Sequence, residues 1–93
     1  MTKKGQSYYE LFKQHLGRTL WQCYDNPSYE KERAYDELVK LYTKMEKTIL
    51  INYGVISFNC QTFTMAFLVA DKTTHERYLM VETAYNHYKY KVD

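Results

Sequence analysis

The residues with the most reactive chemistry are Cys23, Cys60, His75 and His87. If the fold gathered them they could hold a zinc ion. Zinc sites, however, begin with paired ligands a few residues apart, and these four have no such spacing. Cys60 with His75 or His87 could also form a thiolate–imidazole pair for nucleophilic catalysis. No oxyanion-hole motif accompanies either combination. The carboxylates Glu30, Glu32, Asp36 and Glu37 fall at helical spacing, with Arg33 one turn before Glu37. That pattern fits a solvated face supported by i,i+4 ion pairs better than an acid–base couple. No glycine-rich phosphate loop is present, and the chain has only 3 glycines. The sequence thus points away from catalysis, metals and cofactors.

The pattern that remains is aromatic. Tyrosine supplies 11 residues, against 4 phenylalanines and 1 tryptophan. Tyr joins a large apolar ring to one hydroxyl at little entropic cost, which suits interfaces. The C-terminal run Tyr85, His87, Tyr88, Lys89, Tyr90 and Lys91 interleaves rings with cations. On a sheet such a run can act as a stacking platform for single-stranded nucleic acid. On a terminal strand the lysines also blunt an exposed edge. Tyr29 and Tyr35 add rings on a long helix. These eight residues are the candidate contact set, with the tyrosines as anchors and the lysines at the rim.

The elements that must position them follow from periodicity. Ser7-Tyr8-Tyr9-Glu10 has the form of a capping box and starts a helix, leaving residues 1–6 as a tail. Leu11, Phe12, Leu16, Leu20 and Cys23 continue at helical spacing past Gly17. Asn26 and Pro27 open a second helix that should run to about Lys47. Its apolar face is expected at Ala34, Leu38, Leu41 and Met45, flanked by Tyr35 and Tyr42. From Thr48 the period falls to two, with a bulge expected at Gly54. Thr62–Val69, Arg77–Glu82 and Tyr88–Val92 read as three further strands, separated by turns at 71–74 and 84–87. The expected fold is α+β, with two N-terminal helices on one face of a three- to four-stranded antiparallel meander.

Composition bounds the function. A chain of 93 residues is one domain by size. Its net charge of +2 is too balanced for a dedicated nucleic-acid binder. Two cysteines are few for a secreted disulfide scaffold, and no leader or membrane-spanning run is evident, which favours the cytoplasm. Lys, Tyr, Asn and Ile are common while Gly and Pro are scarce, as AT-rich coding would produce. In this style the chain resembles small accessory proteins of phages and mobile elements in AT-rich Gram-positive bacteria, anti-CRISPR inhibitors among them. The resemblance implies a non-enzymatic protein that binds and blocks a host protein such as a defence nuclease. A nucleic-acid accessory role through the Tyr/Lys strand is the alternative, and a homodimer also fits the aromatic surface.

Overall fold

β-Branched and aromatic residues dominate the chain from Thr48 onward, and they pack well on a pleated surface. The computed structural model describes residues 3–14, 29–58, 63–83 and 85–92; for 29–32, 57, 58 and 63 only the backbone is considered. Among the described residues four strands, β1 (Thr48–Phe58), β2 (Phe63–Asp71), β3 (Arg77–Thr83) and β4 (His87–Val92), follow two helices, α1 (Lys3–Gln14) and α2 (Tyr29–Lys44). The sheet order is β1-β2-β3-β4 with every pair antiparallel, so the α+β meander is as expected.

The helices do not share a face of the sheet. Alternation along β2 sends Ala66 and Leu68 to one side and Met65, Phe67 and Val69 to the other. Phe12 of α1 packs on the first side with Ile56, Leu79, Val81 and Val92. Tyr35 and Tyr42 of α2 pack on the second with Val55 and Phe67. The central strands are apolar on both faces, and one helix cannot cover both. Full burial of a side chain such as Phe67 or Phe12 contributes roughly 1.5–3 kcal/mol. A sheet with one bare face would forgo about half of these contributions.

Both helices depart from their expected registers. α1 begins at Lys3, so residues 3–6 are helical and not part of a tail. Ser7 does not cap: its hydroxyl donates to the Lys3 carbonyl at 3.2 Å, one turn back inside the helix. Glu10 instead accepts from the Gln6 side chain at 3.2 Å. Gly5 is buried, which accounts for a residue that costs ~1 kcal/mol against alanine in a helix interior. In α2 the sheet-facing stripe is Tyr35, Leu38, Val39 and Tyr42, while Leu41 is 54% exposed. Flat rings take precedence there because they stack on other rings. Tyr42 lies on Phe67 with centroids 4.5 Å apart, and Tyr35 meets Tyr53 edge-on at 6.0 Å. α2 ends at Lys44, short of Lys47. Its proposed cap, Asn26-Pro27, lies outside the described residues, as do Cys23 and Cys60.

In β1 the register slips between Leu50 and Asn52 and again between Val55 and Ser57. Gly54 itself pairs regularly with Ala66. The bulges therefore flank the glycine and fall at Ile51 and Ile56.

Candidate binding surfaces

Strand alternation divides the predicted contact set. Tyr88 and Tyr90 point to the α1 side and are half-buried against the core. The Tyr90 ring lies 5.9 Å from that of Tyr8, and the Lys4 ammonium sits 4.7 Å from the centroid of Tyr88. His87, Lys89 and Lys91 alternate to the α2 side and are exposed. Tyr85 stands in the β3–β4 turn at 84% exposure. Its neighbours hold that turn, because the Asn86 amide donates to the Thr83 hydroxyl at 2.9 Å. Tyr35 is buried on the opposite side of the sheet from Tyr88 and Tyr90. Tyr29 opens α2, and its side chain lies outside the described residues. The structure thus brings Tyr88 with Tyr90, and Lys89 with Lys91, but not the rings with the lysines of their own run; the cation on Tyr88 is Lys4 of α1.

Most of the tyrosines are structural. Nine of the 11 have described side chains, and among them only Tyr85 is exposed. A thin sheet covered on both sides uses Tyr as a ring whose hydroxyl can still reach a polar partner. The Arg77 Nη2 donates to the Tyr9 hydroxyl at 2.9 Å, and Tyr42 donates to Glu82 Oε1 at 2.5 Å. Burial, then the bond to Glu82 and its charge, push the Tyr42 hydroxyl well above the ordinary phenol range.

The half of the α2 side that the helix leaves open carries a charged ledge. Tyr78 donates to Glu76 Oε2 at 2.7 Å, and Lys91 donates to Oε1 at 3.1 Å. These bonds, that of Tyr78 first, hold the Glu76 carboxyl below its usual range, and the Tyr78 hydroxyl is raised in return. Lys89 places its ammonium 4.3 Å from the Tyr78 ring centroid. Beside the ledge, under the end of α2, is a pocket of about 290 Å³ lined by Tyr42, Met45, Val69, Tyr78, Met80 and Lys89. Thr48, the first residue of β1, and Asp71 complete its wall. The Asp71 carboxylate accepts the Thr74 and Thr73 amides at 2.9 and 2.8 Å, which lowers its pKa.

A second surface was not singled out by the sequence reading. Among the described residues β1 stands at the edge of the sheet opposite β4, and no charged residue occurs from Thr48 to Phe58. Ile49 and Ile51 are 55% and 47% exposed on it. Further along, the Tyr53 amide is taken by the Asn52 side chain at 2.8 Å, so that donor is already satisfied. The regularly paired stretch open to a new strand is therefore the first part, Thr48–Leu50, ahead of the bulge at Ile51. The signal was present in the sequence as an eleven-residue run without charge. Only strand order shows that the run lies at an edge.

Among the described residues no three His, Cys, Asp or Glu side chains gather to hold a metal. None of the described helices is long and apolar enough to cross a membrane. The surface Arg33–Glu37 pair forms as its spacing suggested, at 3.2 Å. Comparison with known proteins finds no matching family model, no matching curated protein and no matching solved structure.

Proposed function

We propose that this domain is a non-enzymatic protein-binding module whose main contact is the edge of β1. The observation that carries the reading is the pair Ile49 and Ile51, exposed on an uncharged edge strand. An edge presents backbone donors and acceptors that an extended partner segment can pair with, and alternate side chains give that pairing its specificity. Proteins ordinarily guard such edges with charge. Here β4 carries lysines and β1 carries none. Taken with the composition, the reading is of a small phage or mobile-element protein that inhibits or modulates a host protein such as a defence nuclease.

The nucleic-acid alternative draws less support from the geometry. A stacking platform needs rings and cations on one surface. Tyr88 and Tyr90 lie under α1, and Lys89 and Lys91 lie on the other side of the sheet.

The test uses the whole chain as bait in a host lysate, then measures affinity for the purified captured protein. Replacing Ile49 and Ile51 by Lys should abolish that affinity without changing the fold, and β1 amides should gain hydrogen-exchange protection in the wild-type complex. Unchanged affinity in a folded double variant overturns the β1 site. A concentration-dependent dimer of the wild type, lost in the double variant, would make a second copy the partner.

A further inference from the structure

The pocket beneath the end of α2 has a composition that the β1 edge does not explain. Its volume of about 290 Å³ lies at the lower limit for small-molecule and cofactor sites. It suits a single large side chain. The walls are rings and thioethers: Tyr42 and Tyr78, Met45 and Met80. Methionine adapts to irregular apolar shapes, and its sulfur contacts aromatic rings favourably. The two charges at the rim differ in what holds them. Asp71 is occupied through Oδ1 by two backbone amides. Lys89 rests over the face of Tyr78 and acts on Asp71 across the rim only at longer range than a direct ion pair.

We propose that this pocket is an anchor socket for one large apolar side chain of a protein partner, with an adjacent acidic residue of that partner pairing with Lys89. The inference rests on the protein-binding reading and adds the chemistry of the partner segment. Thr48 both lines the pocket and opens β1, so a segment leaving the β1 edge at that end arrives at the socket. The partner's carboxylate must approach from the β4 side, because Asp71 on the other wall would repel it.

The experiment needs no partner protein. The full chain is labelled at its methionine methyls and titrated with N-acetyl-Phe-Asp amide, with N-acetyl-Phe-Lys amide as the charge control. The Met45 and Met80 methyls should shift together and saturate on the order of a millimolar. Met65, buried on β2, is the internal control and should stay still. The acidic probe should bind about threefold more tightly than the basic one, as expected for one exposed ion pair. Lys89→Glu should reverse that preference and Lys89→Ala should remove it. No shift at Met45 or Met80 with either probe up to ~10 mM, ten times that expected constant, overturns the socket. Equal affinity for both probes overturns the role of Lys89. Since no strand addition is involved, the β1 reading can fail while the socket is confirmed, or the reverse.

Discussion

The two edges of this sheet are built from different materials. β4 alternates half-buried Tyr88 and Tyr90 with exposed His87, Lys89 and Lys91. β1 is longer, uncharged and bulged twice, with isoleucines in the open at its start. A strand that docks on β4 must desolvate or displace lysines. A strand that docks on the beginning of β1 meets no charged side chain along the strand. The contrast teaches that a rich composition is not the same as an available surface. The tyrosines that dominate the sequence are mostly spent on packing, and the apolar groups exposed on an edge strand are the less conspicuous isoleucines.

The comparison breaks most sharply if β1 is given the charges of β4. Ile49→Lys with Ile51→Lys should cost partner affinity at least ~30-fold, corresponding to about 2 kcal/mol of lost contact. The melting temperature should move little, since each of the two side chains is about half exposed. Surface plasmon resonance beside a thermal melt reads both quantities, and a large drop in melting temperature would mean that the isoleucines support the fold instead.

The next effect concerns the bond that ties α2 to β3, the strand on which β4 rests. Tyr42→Phe leaves the Glu82 carboxylate without its donor and should destabilise the fold by about 1.5–3 kcal/mol in urea unfolding. The wild type should also have an alkaline dependence. Because the folded-state pKa of Tyr42 is raised, its contribution is full below the ordinary phenol value near 10 and is lost as pH rises above it. The Phe variant should lack that component, and an identical alkaline profile would show that the bond contributes nothing.

A smaller effect is expected from removing the charges of β4. With Lys89→Thr and Lys91→Thr, the outer strand becomes as unguarded as β1. Sedimentation should reveal concentration-dependent association beyond that of the wild type, and a variant that associates no more than the wild type would show that the lysines do not protect this edge.

The smallest change is at the turn between the two inner strands. Its Asp71 carboxylate has a lowered pKa, from the Thr74 and Thr73 amides first. Its contribution is therefore present above the ordinary carboxylate range and lost as pH falls through the lowered value. Amide shifts of Thr73 and Thr74 should titrate with a midpoint below 3.8, the unperturbed value. A midpoint at or above it would mean that the turn bonds are absent in solution.

Much of the architecture was legible from the chain. The change of period at Thr48 marked where helix gives way to strand, and Asp71 with its threonines marked the β2–β3 turn. The two-sided apolarity of β2 was legible too, and its consequence is that each face needs its own cover. The site was less legible. The Tyr–Lys run was visible as a pattern, but the pleat sends its rings and cations to opposite faces.

By itself, the sequence determined the element order, the antiparallel meander and the absence of charge along β1. These depend on local propensity and on the period of apolar residues, which neighbouring residues decide. Only the tertiary structure decided that α1 and α2 lie on opposite faces, that Tyr35 and Tyr42 outrank Leu41 at the helix–sheet contact, and that β1 is an edge. Those outcomes depend on which ring fits against which across the sheet. Tyr42 finds both a stacking partner in Phe67 and an acceptor in Glu82, forty residues away along the chain.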